Sequence, residues 1–317
     1  MTSHGRRTFL KATLAASAAL AHDVNAAGQT PVLFPGFTAQ KIQTSGATIH
    51  TLRGGSGPPL LLVHGYPQTH VEWHKIAPEL ARTFTVVMTD LRGYGDSSKP
   101  PDGENHANYS KRAMALDQIE VMRALGFSTF AVVGHDRGAR VTWRLAVEHP
   151  TVVTKAVVID IVPEPYSRVT RQFATEYFHW FFLIQAAPFP ETLIGNSAEF
   201  YLRSRFLRQN AAANVFTPEA IAEYLRCFKD PATIHATCAD YRAGATIDLE
   251  HNAGDTRKVV CPLLVLWGER GSVGRLEPVM DIWREKAVDV TGKALPAGHF
   301  LPEEVPQETL AALLAFL

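Results

Sequence analysis

Cysteine is scarce in this chain of 317 residues: Cys227, Cys238 and Cys261 are the whole set. An odd, sparse set without a Cys-x-x-Cys pair builds neither a disulfide framework nor a zinc site, so three buried free thiols are the expected state. Net charge is lacking too. Lys+Arg and Asp+Glu stand at 31 each, and no global field draws the chain to nucleic acid or to an anionic membrane. Any preference for an anion must come from a few local charges. No apolar run approaches the roughly 20 residues that span a bilayer. His-Glu-x-x-His, the phosphate-binding P-loop and a Gly-x-Gly-x-x-Gly turn after a strand are all missing, so neither a metal nor an organic cofactor is expected. Internal repeats are absent as well. What is present, 46% hydrophobic and 20% charged residues, is the composition of a soluble globular protein. Its length suits one large α/β domain or two smaller ones.

The N-terminus reads as an address and not as fold. Arg6-Arg7-Thr8-Phe9-Leu10-Lys11 is followed by a small apolar run over residues 12–21 and then by Asp23-Val24-Asn25-Ala26-Ala27. A twin arginine before such a run, with small residues after it, predicts a twin-arginine export signal over residues 1–27. The mature protein would then be periplasmic, with no membrane segment.

From there apolar runs alternate with helical periodicity. Strands are predicted at residues 44–53, 60–63, 84–89, 130–133, 156–159, 263–266 and 288–294. Helices are predicted at 110–125, 138–148, 277–285 and 307–316; the first carries Ala113, Leu116, Ile119 and Met122 at helical spacing. The alternation implies a mostly parallel sheet with helices on both faces. It breaks between residues 163 and 247, where aromatic-rich helical stretches (173–184, 198–208, 218–228 and 234–243) replace β-rich runs. That region is expected to be a helical cap inserted between a first core part, 28–162, and a second, 248–317.

The strongest chemical signal is Val132-Val133-Gly134-His135-Asp136-Arg137-Gly138-Ala139-Arg140. A β-branched run ends in Gly-x-Asp-x-Gly and opens into a helix, the form of a nucleophile elbow with aspartate where an esterase carries serine. A carboxylate there makes alkyl esters by attacking carbon. An N-cap would also explain an aspartate, but a cap needs no small residues on both sides. Arg137 and Arg140 are three apart, share a helix face and lie at a helix N-terminus, so they can meet an anionic substrate with forked donors. A structural salt bridge is the alternative for these two arginines.

Ligands bind at the carboxyl ends of strands in such sheets. His64-Gly65-Tyr66-Pro67, Asp136, Asp160 and His299 all follow strands. His299 is the candidate base and Asp160 the acid that orients it. Glu269 and Glu250 are rivals for the acid.

Together these segments resemble the fluoroacetate (haloacetate) dehalogenases of the α/β-hydrolase superfamily. The likeness rests on His64-Gly65-Tyr66-Pro67-Gln68, Asp90-Leu91-Arg92-Gly93-Tyr94-Gly95-Asp96-Ser97, the Asp136 elbow and Ala297-Gly298-His299, and it covers the chain after the signal. More discriminating are Tyr177-Phe178-His179-Trp180-Phe181-Phe182 and Asp240-Tyr241-Arg242-Ala243-Gly244. The resemblance implies an α/β-hydrolase fold and a halide cradle of His179, Trp180 and Tyr241. It also implies carboxylate binding by Arg137 and Arg140, and an oxyanion hole from the backbone N–H groups of Tyr66 and Arg137. Asp136 would displace halide from a 2-haloacid, and water activated by His299–Asp160 would release a 2-hydroxyacid, with no cofactor. In many relatives the triad acid stands in Trp-Gly-x-x-Asp. Here Trp267-Gly268-Glu269-Arg270-Gly271 puts glycine at that place. Homodimers are common in the family, so self-association is an expectation carried by the resemblance alone. An epoxide hydrolase, with Tyr241 as acid, and a ligand-binding hydrolase fold without turnover are the competing readings; the arginine pair argues against the first and the complete Asp136, His299 and Asp160 set against the second.

Overall fold

The structure, a computed structural model, describes residues 33–163, 169–208 and 214–317. The segment read as an export signal lies outside the described residues. Continuous apolar runs make the sheet. Strands β3 (Pro59–Val63), β4 (Thr85–Thr89), β5 (Phe130–His135), β6 (Val153–Ile159) and β7 (Leu263–Gly268) are buried along most of their length, as strands covered on both faces must be. With β1 (Thr38–Gln43), β2 (Thr48–Gly54) and β8 (Val290–Leu295) they form one eight-stranded sheet in the order β1-β2-β4-β3-β5-β6-β7-β8. The pairs β1/β2 and β2/β4 are antiparallel and the rest are parallel.

Core helices are α1 (Ala77–Leu80), α2 (Lys111–Ala124) and α3 (Arg137–Glu148). Between β6 and β7 come α4 (Arg171–Glu176), α5 (Phe178–Leu183), α6 (Phe189–Gly195), α7 (Ala198–Arg208), α8 (Pro218–Phe228), α9 (Pro231–Ala245) and α10 (Ile247–Asn252). The chain closes with α11 (Ser272–Leu276), α12 (Val279–Lys286), α13 (Leu301–Glu304) and α14 (Pro306–Phe316). Strand order reverses at β3, whose neighbours are β4 on one side and β5 on the other. The crevice at their carboxyl ends is therefore the switch point of the sheet.

Several details depart from expectation. Residues 44–53, expected as one strand, are the end of a hairpin: β1 turns at 44–47 and pairs with β2. The aromatic stretch 173–184 is two helices, because Tyr177 leaves helical geometry at φ −97°, ψ 25°. On α2 the buried face runs through Met114, Ala115, Ile119 and Met122, while Leu116 is 40% exposed. The three cysteines are buried and free, as expected. Among the described residues no helix is long and apolar enough to cross a membrane.

Candidate active site

The elbow is built by close approach. Gly138 begins α3 against β3: a Cβ there would strike the Val63 and His64 carbonyls. Gly134 sits as tightly against Gly138 and Thr142. Asp136 turns between them with φ +47° and ψ −115°, a conformation rare for a residue with a side chain. Its carboxylate makes no cap hydrogen bond to α3, so the capping explanation does not hold. Instead Asp136 Oδ1 accepts the Tyr66 N–H at 2.9 Å, and Oδ2 lies 3.7 Å from His299 Nε2. Burial raises the Asp136 pKa, but His299, His135 and Arg137 outweigh it and hold the carboxyl below its ordinary value. The second expected oxyanion donor, Arg137 N–H, opens α3, where no intrahelical acceptor precedes it.

His299 follows β8. Its Nδ1 meets Asp160 Oδ2 at 2.5 Å, so with the proton on Nδ1 the lone pair of Nε2 faces Asp136. Nε2 is buried and makes no hydrogen bond. Asp160 follows β6 at φ +55° and accepts the Gly268 N–H on Oδ1 at 3.0 Å. The rivals Glu269 and Glu250 are both exposed. A Cβ at Gly271 would lie 3.4 Å from Asp160 Oδ1. Gly271, the place that the resemblance assigns to the acid, thus lies beside the Asp160 carboxylate.

Arg137 is held by a carboxylate of the insertion. Arg137 gives Nε and Nη2 to Asp240, at 3.0 Å to Oδ2 and 2.8 Å to Oδ1. Nη2 also reaches the Asp240 carbonyl at 2.8 Å. Asp240 further accepts from the Lys111 ammonium and, at 2.6 Å, from the Tyr94 hydroxyl. Burial opposes its charge, yet Arg137 and Lys111 hold its carboxyl far below the usual carboxylate range. The salt-bridge alternative therefore applies to Arg137, which is tied down on two of its three nitrogens. Arg140 stands 4.8 Å from the Trp180 ring centroid, and Arg137 4.3 Å from that of Tyr241.

The insertion brings its aromatics to this place. Tyr241 on α9 packs edge-on against Tyr66 at 5.1 Å, His179 at 5.7 Å and Trp180 at 6.1 Å. Its hydroxyl is buried without a hydrogen-bond partner. Burial and the nearby Asp136 push its pKa well up, so it stays an O–H donor. A cleft of about 250 Å³ is walled by Arg137, Phe173, Trp180, Tyr241 and Leu249 among others. Asp136 and His299 are not part of that wall and are 8% and 5% exposed.

Four groups were not legible in sequence. Glu304 grips the His299 loop on both sides, accepting the Gly298 and Phe300 N–H groups at 2.8 and 2.9 Å. Glu72 and His135 lie beneath the elbow. Arg205, one turn after Tyr201 on α7, is 1% exposed with Nε and Nη1 unbonded; Tyr201 itself bonds Tyr66 through their hydroxyls at 3.2 Å. Glu72 meets His135 across 63 residues, which no local pattern announces, whereas Glu304 bonds within its own loop. The repeated acid in Leu301-Pro302-Glu303-Glu304 after His299 was the one available hint.

Residues 58–305 match the family described as alpha/beta hydrolase fold. The chain is 45% identical to a fluoroacetate dehalogenase from Burkholderia sp over 90% of this chain and 95% of that protein. It is 36% identical to a soluble epoxide hydrolase from Corynebacterium sp. (strain C12) over 88% of this chain and 96% of that protein. A crystal structure from Nostoc sp PCC 7120, provisionally described as an alpha/beta hydrolase, superposes with a TM-score of 0.87 at 57% identity, covering 88% of this chain and 97% of that one.

Proposed function

Because the chain belongs to the α/β-hydrolase superfamily and, within it, to the family of the fluoroacetate dehalogenases, we propose that it hydrolyses the carbon–halogen bond of short 2-haloacids. The observation that carries this reading is the pairing of cations with donors beside a carboxylate nucleophile. Arg137 lies over Tyr241 and Arg140 over Trp180, while Asp136 is flanked by an N–H on one oxygen and an imidazole on the other. A small anion approaching Asp136 is repelled unless cations meet its charge, and the arginines supply that.

In this reading Arg140 and the remaining nitrogen of Arg137 hold the substrate carboxylate. An Asp136 oxygen attacks the α-carbon, a C–O bond forms and the carbon–halogen bond breaks with inversion. The electron pair leaves with the halide. Its charge grows only as the bond breaks, so the Tyr241 O–H, the Trp180 N–H and His179 favour the transition state over the ground state. Water between His299 Nε2 and the new ester then gives its proton to His299 and attacks Cγ of Asp136. The oxyanion forms on Oδ1, where the Tyr66 N–H already points. Collapse breaks the ester C–O bond, the 2-hydroxyacid leaves with the proton from His299, and Asp136 gives the second proton of the water to solvent to become a carboxylate again. Glycolate is the product from fluoroacetate or chloroacetate. In the cell this activity would sit in the periplasm, if residues 1–27 act as the export signal their pattern suggests.

Purified protein given fluoroacetate, chloroacetate and styrene oxide tests the reading. Halide release from a haloacetate is expected. Diol from styrene oxide without halide from any 2-haloacid would replace it with epoxide hydrolysis, and no turnover of any substrate would favour a binding role.

A further inference from the structure

The hydrogen bonds around His135 fix its charge. The ring is fully buried, directly before Asp136. Nε2 is 2.8 Å from the main-chain carbonyl oxygen of His299, and Nδ1 is 3.2 Å from Glu72 Oε2. The carbonyl can only accept. Glu72 Oε2 already accepts the Gly65 N–H at 3.1 Å, the ordinary role of a carboxylate oxygen. A neutral imidazole has one N–H and would turn a lone pair on one of these two acceptors; only the doubly protonated ring satisfies both. Burial by itself disfavours the cation, but Glu72, Asp136 and Asp160 outweigh it and raise the pKa to about 9. The His299 ring packs against the His135 ring at 4.7 Å. Burial and the neighbouring Glu72 push the pKa of Glu303, on α13, well up.

We infer that Glu72 and His135 form a buried ion pair that positions the reaction centre. One oxygen of Glu72 holds the Gly65 peptide, and with it the Tyr66 N–H that meets Asp136. The same oxygen holds the His135 imidazolium, which grips the main chain of His299. The nucleophile, its oxyanion donor and the base are thereby fixed to one another through one carboxylate, and a permanent positive charge stands beside Asp136. His135 and Glu72 are positioning residues, since neither touches the substrate. The inference rests on the roles given to Asp136 and His299, but the charge of His135 can be read without turnover.

Long-range ¹⁵N–¹H spectra of histidine-labelled protein at pH 7.5, with His135 assigned by loss of its signals in His135→Asn, are expected to show both ring nitrogens protonated. In Glu72→Gln the ring should become neutral at the same pH. The acid limb of the single-turnover alkylation rate should move up by about one pH unit in His135→Asn, as expected when a neighbouring cation is lost. Ester hydrolysis should slow about tenfold or more in both variants, a difference of roughly 1.4 kcal/mol in barrier. A neutral His135 in the unaltered protein overturns the inference. So does an imidazolium whose removal leaves both half-reactions and the pH profile unchanged. If Glu72→Gln does not fold, His135→Asn carries the kinetic arm and the spectrum of the unaltered protein decides the charge. Absence of halide release from unaltered protein would count against the proposed function and leave the spectrum to be judged alone.

Discussion

Asp160 occupies a place that two strands can reach. It holds His299 Nδ1 through one oxygen and the Gly268 N–H through the other, and a Cβ at Gly271 would point at the same carboxylate. Asp160→Asn should cost about three to four orders of magnitude in turnover, as loss of the orienting acid does elsewhere. Adding Gly271→Asp should restore part of it, because Gly271 has φ −69° and its Cβ needs only a few tenths of an ångström of give from the Gly298 and Gly268 carbonyls. Chloroacetate turnover of the single and double variants checks this; a double variant no better than the single would mean that the two positions do not converge. Arg205 is a second residue to examine singly. A buried guanidinium with no ion-pair partner among the described residues is costly to the fold. Arg205→Met should therefore raise the melting temperature, and, if the cation serves the anionic substrate, raise KM for haloacetates. A lower melting temperature with unchanged KM would make it a packing residue.

At the scale of elements, Arg137 ties core to insertion. Arg137 on α3 is bolted to α9 through Asp240, which also draws in Lys111 of α2. Asp240→Ala takes the paired carboxylate from buried Arg137 and leaves Lys111 with Asp248 alone, at 3.6 Å, and should lower stability by about 3–5 kcal/mol, measured by denaturant unfolding. Arg140→Leu should raise KM for chloroacetate far more than for a neutral haloester. Equal losses on both substrates would remove the carboxylate-binding role. The elements themselves were legible to different degrees. β3 to β7 could be read because strands covered on both faces become unbroken apolar runs. β1 could not, since Thr38–Gln43 is an edge strand with only Ile42 buried. The elbow, Asp160 and His299 were legible because chemistry at strand ends carries local marks: glycines, turns, a lone acid or imidazole after an apolar run. The salt bridge of Arg137 stood in the sequence only as an alternative, because its partner Asp240 lies 103 residues away. Glu72 stayed hidden because its partner His135 lies 63 residues away.

For the whole molecule, the buried ion pairs set a pH window. The His135 pKa is raised in the folded chain from 6.5 to about 9, so its contribution is fully present below pH 6.5 and is lost as pH rises through 9. His70, opposed by burial but held by Asp90 at 2.8 Å, shifts in the same direction. Asp240 and Asp90 are displaced the other way: burial raises them, but Arg137 and Lys111 on the first and His70 on the second pull them far down. Their contributions are present above the ordinary carboxylate value of about 4 and are lost as pH falls below it. Stability should therefore be greatest between about pH 4 and 6.5 and decline on the alkaline side. A rise from 6.5 to about 9 corresponds to about 3 kcal/mol at most for His135. Calorimetric melting temperatures from pH 4 to 10 test this, with His135→Asn as the reference. The variant should be less stable at pH 6 yet nearly level with the unaltered protein at pH 10. Parallel curves would show that His135 carries the same charge folded and unfolded, and the ion pair would then contribute nothing to the window.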